Sequence, residues 1–226
     1  MEGSIAQAEA TYRSASMRAR VAVLFLLGMA LLAAIAALHF FSTFDLVDRA
    51  ARGALRPGEA RAFDDLTVTL GRIELAGQVV TGIAWFVWLH RAVANVRAVG
   101  GQTAFTPGWA VGWWFIPFAN LVQPYRILRS LLNRLDAPST GLVAYWWGCY
   151  LTAGFLGTVA SLQRPANLND LRIFAATFLG LDLIRAAAAV LAVLLVREIE
   201  QRIERTARAR LTPAPVSPVP AGQATN

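Results

Sequence analysis

The chain has no lysine, one cysteine, two histidines and few charges of either sign. Without lysine there is no Gly-Lys-Ser/Thr phosphate loop, and no Gly-x-Ser-x-Gly elbow or HExxH pair occurs. Cys149 is the lone cysteine and lies inside an apolar run, which excludes an intramolecular disulfide and a thiolate metal cluster. His39 and His90 fall near the ends of apolar runs on opposite sides of the expected membrane, so a shared metal is not expected. No catalytic, cofactor or metal residues are expected, and the chain does not read as an enzyme. Charged residues make up 15% of the 226, against about 25% in soluble domains. That scarcity excludes the large soluble-enzyme folds.

What the sequence has instead is apolar surface: 56% hydrophobic residues and a mean hydropathy of +0.48. All 21 basic residues are arginine, against 14 acidic ones, for a net charge of +7. They are dispersed and flank the apolar runs, as expected of a protein held by anionic lipid headgroups and not by nucleic acid.

About 20 apolar residues in a helix cross a hydrocarbon core about 30 Å thick. Residues 21–41, 142–162 and 173–196 meet that test, and 70–90 does so if Arg72 and Glu74 sit at the headgroups or face other helices. Val21–Phe41 is too long for the apolar part of a signal peptide. Pro57-Gly58-Glu59 ahead of Asp64 and Asp65 reads as a helix start, predicting one helix from about Pro57 to about Val99. Trp109–Val122 is short, holds Pro117 and Asn120, and precedes Gln123-Pro124, which suits a re-entrant or interfacial element over 107–135. With four spans, thirteen arginines face the inside and six the outside. Five spans would put either the N-terminal or the C-terminal arginines outside.

The expected fold is therefore an all-α polytopic membrane bundle. It has four transmembrane helices, a cytoplasmic-side re-entrant or interfacial broken helix, and both termini cytoplasmic at the plasma membrane. A flexible N-terminus (1–16) precedes the membrane domain (17–200). A solvated helical extension (197–211), with Glu198–Arg202 and Glu204–Arg208 as i,i+4 pairs, leads into a disordered proline-rich tail (212–226).

Two stretches carry a resemblance. Trp88-x-x-Arg91-x-x-x-Asn95 runs toward Gly100-Gly101. After it come Thr106-Pro107-Gly108-Trp109, then Trp113-Trp114, Pro117, Asn120 and Gln123-Pro124-Tyr125. The block resembles the bacterial membrane family known as domain of unknown function 4328, over about residues 20–200. The resemblance implies a multi-span bacterial membrane protein and no particular activity. An acidic residue and a tryptophan commonly follow the block in that family, whereas Ser130 and Leu132 stand here.

Asp182 and Arg185 lie one turn apart near the middle of the last span, where ionisable groups are costly unless paired or hydrated. They read either as a responsive pair on a polar cavity or as an internal salt bridge that locks packing. Glu74, Gln78 and Thr81 share a face of the second span that can meet them. Arg91 and Asn95 share a face that would bind phosphate or satisfy broken backbone near Pro117–Asn120. Trp85, Trp88, Trp109, Trp113, Trp114, Trp146 and Trp147 suit a headgroup belt. Tyr125–Leu135 reads as an interfacial amphipathic helix on an anionic leaflet. Ala153-xxx-Gly157-xxx-Ser161 is a small-residue stripe for packing within the chain or for self-association. The expected role is a non-enzymatic scaffold or modulator of a membrane partner or lipid patch, as a homo-oligomer or with another membrane protein. The alternative is a small oligomeric transporter or channel with Asp182 and Arg185 on the path.

Overall fold

The computed structural model describes residues 12, 14–99, 103–135 and 141–211. The expected tail at 212–226 and most of the expected N-terminal segment lie outside them. Among the described residues every regular element is helical. Six α-helices follow in order: α1 (Ser16–Ala51), α2 (Glu59–Ala98), α3 (Pro107–Gly112), α4 (Gln123–Arg134), α5 (Leu142–Leu162) and α6 (Leu168–Leu211). Two 3-10 turns, Trp113–Phe115 and Ala119–Leu121, stand between α3 and α4. Four helices, α1, α2, α5 and α6, are long and apolar enough to cross a membrane.

The long helices outrun their apolar runs because polar side chains carry them on. Past Phe41, α1 continues to Ala51. There Ser42 Oγ donates to the His39 carbonyl (2.7 Å), Arg49 pairs with Asp45 (2.8 Å), and Leu46 and Val47 are buried. The chain then turns at Gly58, whose φ of 82° is left-handed and favours glycine. Glu59 opens α2, accepting from the Arg56 backbone N–H (3.1 Å) and pairing with Arg49. Asn167 and Asp170 cap α6 reciprocally: Asn167 Oδ1 accepts from the Asp170 N–H (2.9 Å), and Asp170 accepts from the Ala166 N–H (3.1 Å).

The packing runs α2, α1, α6, α5, with α1 on α6 the closest seam. Along that seam Ala33, Ala36 and Ala37 of α1 and Ala188, Ala189 and Ala192 of α6 are buried, and such small residues let membrane helices approach closely. The backbones of α2 and α5, at the two ends of this arc, stay apart.

The larger core lies at one end of the bundle. It joins the start of α1, the end of α2, α4, the start of α5 and the second half of α6. Ile127, Leu128, Leu131 and Leu132 of α4 are fully buried in it, with Arg126, Arg129, Asn133 and Arg134 outside. The apolar stripe of α4 is as the periodicity predicts, but protein covers it. The extension after Val196 departs from the expected solvated helix in the same way: Ile199, Ile203 and Ala207 are buried, and only its outer face carries the Glu198–Arg202 and Glu204–Arg208 pairs.

Between α3 and α4 the chain breaks where proline dictates. Thr106 caps α3 by accepting from the Trp109 N–H (3.3 Å), and Pro107 occupies its first turn, where a missing donor costs nothing. Ile116 is extended, as a residue before proline must be. Phe118, after Pro117, has φ 62°, the only positive φ outside glycine among the described residues. Pro124 restarts the helix near the beginning of α4.

Candidate functional site

The charges of the second and fourth spans meet. Arg185 Nη1 of α6 donates to Glu74 Oε2 of α2 (3.1 Å) and to Asp182 Oδ1 one turn back (3.2 Å). Asp182 is 1% exposed, Glu74 13% and Arg185 27%. One guanidinium shared by two carboxylates offsets part of the cost of burying them. Two carboxylate oxygens, Glu74 Oε1 and Asp182 Oδ2, are buried with no hydrogen-bond partner. Gly157 of α5 lies beside the trio: a β-carbon there would be in ordinary contact with the Arg185 guanidinium, at 3.7 Å.

Beside the trio is a cavity of about 860 Å³ in the gap between α2 and α5, floored by α1 and α6. Glu74, Gln78, Thr81 and Arg185 line its polar part, and Asp182 stands behind them. Gly82 and Gly154 face each other's helices across it, and Ala188, Ala189 and Ala192 form the floor.

The end of the cavity toward the large core is closed by aromatic rings. Trp85 stacks on Trp146 (5.4 Å), and Trp147 on Tyr150 (5.1 Å). Trp114, from the 3-10 turn after α3, stands edge-on to Trp85, Trp147 and Tyr150 at 6.2, 6.1 and 5.8 Å. Such offset and edge-on pairs add about 0.5–1.5 kcal/mol each beyond burial. Trp147 Nε1 donates to the Leu121 carbonyl (3.2 Å), tying the broken segment to α5, and Asn120 and Leu121 line the cavity there. The broken segment therefore reaches the level of Trp85 on α2 and Tyr150 on α5.

This arrangement corrects the tryptophan belt. Trp85, Trp88, Trp146 and Trp147 are buried inside the protein, where Trp85 stacks on Trp146 and the indole N–H groups of Trp88 and Trp147 donate to protein oxygens. Trp109, beside Trp113 (5.2 Å), is exposed on the hairpin surface. Trp88 Nε1 donates to Glu200 Oε1 (2.8 Å) in the core, a buried bond linking α2 to the end of α6.

The expected backbone-satisfying role of Asn95 is also corrected. Asn95 is wholly buried, and neither side-chain atom has a hydrogen-bond partner; Trp147 serves the broken backbone instead. Arg91 is half-buried on the same helix. Tyr125, at the start of α4, lies under Arg129, which donates to its hydroxyl (3.4 Å) and stacks 5.9 Å from the ring centroid. Gly108 is exposed in the first turn of α3.

Of the residues singled out from sequence, the structure thus brings together Glu74, Asp182 and Arg185, with Trp114 and Asn120 at the far end of the same cavity. It leaves Trp88, Arg91, Asn95, Pro107, Gly108 and Trp109 elsewhere. Sequence reasoning missed Tyr150 and the Trp88–Glu200 bond. The position of Tyr150, three residues after Trp147 and four after Trp146, was the available clue to the first. Among the described residues no group of three or more His, Cys, Asp or Glu side chains is placed to hold a metal.

The family described as "Domain of unknown function (DUF4328)" matches residues 51–201, from the end of α1 into the last turns of α6. No curated protein and no solved structure matches the chain.

Proposed function

The chain belongs to the family of domain of unknown function 4328, whose description assigns no activity, and from its own geometry we propose a non-enzymatic module of the bacterial plasma membrane. In this reading it scaffolds or modulates a membrane partner, a second copy of itself, or a patch of lipid. Both termini and the broken hairpin are cytoplasmic, and the segment Trp113–Leu121 is a re-entrant element dipping into the inner leaflet. The arginines on the outer face of α4 support that orientation by facing anionic headgroups.

One observation carries the reading. The cavity is a groove, bounded at one end by the paired trio and at the other by a wall of aromatic rings. Such a shape holds apolar matter and offers no continuous polar route. Purified protein in liposomes is expected to pass no solute and turn over no substrate, and reproducible flux or turnover would remove the proposal. For the topology, a cysteine at exposed Asn133 in a Cys149→Ser background should be shielded from an impermeant thiol reagent applied to intact cells. Labelling from outside would make the hairpin a true crossing.

A second reading, a small oligomeric transporter or channel, is favoured by Glu74, Arg185 and Asn120 lining one cavity. There Asp182→Asn and Arg185→Gln should change flux per folded molecule, with the amount of folded Arg185→Gln protein measured alongside because that variant is also less stable.

A further inference from the structure

We propose that the groove between α2 and α5 is a binding site for an amphipathic organic cation, one with an ammonium head and a long apolar body, held head-first against Glu74. The inference rests on the groove being a holder.

The volume of about 860 Å³ falls within the range of small-molecule sites, which are mainly apolar with a few convergent polar groups. The charges select the head. Glu74 and Asp182 are two carboxylates against one guanidinium, and Arg185 is the only basic side chain among the described residues that line the cavity. Arg185 is already committed to both carboxylates through Nη1, while Glu74 Oε1 and Asp182 Oδ2 have no partner. A cationic head balances the surplus negative charge; a phosphate or carboxylate head would add to it in a medium where unpaired charge is costly.

The shape selects the body. Glu74 and Trp85 stand on the same helix, so at ~1.5 Å rise per residue about 16 Å of groove separates the carboxylate from the rings. That matches an extended alkyl or aryl chain ending against Trp85, Trp114 and Tyr150. The unpaired indole N–H groups of Trp85 and Trp114 also give that end room for a polar atom on the ligand.

The test uses the full chain in phosphatidylcholine nanodiscs, whose lipid carries no net charge. Equilibrium binding is measured for three probes with one chain and different heads: dodecyltrimethylammonium, dodecanol and dodecyl sulfate. Saturable binding of the cation is expected, at least about tenfold tighter than the alcohol, with none of the sulfate. Glu74→Gln should weaken cation binding about tenfold and leave the alcohol unchanged. Gly154 lines the groove, and a β-carbon there meets no atom within 4 Å, so Gly154→Leu fills the site without touching the trio and should abolish saturable binding at unchanged melting temperature. Equal affinity for cation and alcohol, or cation binding that survives Gly154→Leu, would overturn the proposal even if Glu74→Gln fails to fold. Flux of the same cation into liposomes is scored separately. Binding with flux would sink the holder and keep the site, whereas no binding and no flux would sink the site and keep the holder.

Discussion

At the hairpin end of the bundle, Trp88, Leu128, Leu195 and Ile199 are completely enclosed by their neighbours. At the opposite end the helices meet through Arg49–Glu59, Asp48–Arg172 and the bond from His39 to Thr67 (2.7 Å), with Phe40 stacked on Phe178 (4.8 Å). Between the two, along the seam of α1 and α6, alanines are buried. The difference follows the solvent that each region displaces. Large side chains are worth most to bury where water is the alternative, as around the arginine-flanked α4 and the charged turns of α6 after Val196. In mid-membrane, lipid tails are as apolar as leucine, so close approach of backbones over small residues does the holding.

Four substitutions sharpen that comparison, in falling order of effect. Leu128→Asp puts an unpaired carboxylate into the large core and should abolish the folded state, read as loss of the thermal transition and rapid proteolysis in detergent. Arg185→Gln leaves Glu74 and Asp182 facing each other and should cost about 3–5 kcal/mol. Replacing Glu74 and Asp182 with their amides in the same chain should restore most of it, and a triple variant as weak as the single would contradict the pairing.

Ala36→Leu overpacks the α1–α6 seam and should cost about 1–3 kcal/mol. The same enlargement at exposed Ala62 should do nothing measurable, so matched losses at both sites would end the argument from close approach. Glu59→Gln, at the ion-paired end, should give the smallest change, erased by raised salt. The Arg49 guanidinium, then the Arg56 backbone N–H, hold the Glu59 carboxyl below the usual glutamate range. Its small contribution is therefore complete above that range and fades as the pH falls through the depressed value. A melting temperature that rises on acidification in wild type but not in Glu59→Gln would reverse that sign.

The spans were legible because length and hydropathy are set by the bilayer, and the start of α2 because Pro57, Gly58 and Glu59 each have a role at a helix entrance. The Glu74–Asp182–Arg185 trio was legible for the same reason: charge at that depth must find a partner. The ring wall and the groove were not. Trp85, Trp146 and Tyr150 are apolar enough to face lipid or protein, and no periodicity distinguishes the two when both surroundings are greasy. The burial of Ile199 and Ile203 was masked by the acids and arginines interleaved with them, which describe only the outer face. For the unpaired amide of Asn95 the structure offers no physical account.

One continuous helix, α6, carries Arg185 near the middle of its apolar run and Ile203 in the core past the end of that run. At ~1.5 Å per residue its 44 residues make a rod of roughly 66 Å, about twice the hydrocarbon thickness. Such a rod turns position into leverage. A tilt of a few degrees, pivoting where Trp88 holds Glu200, would carry the opposite end several ångström, and the Arg185–Glu74 and Arg172–Asp48 pairs along the rod resist it.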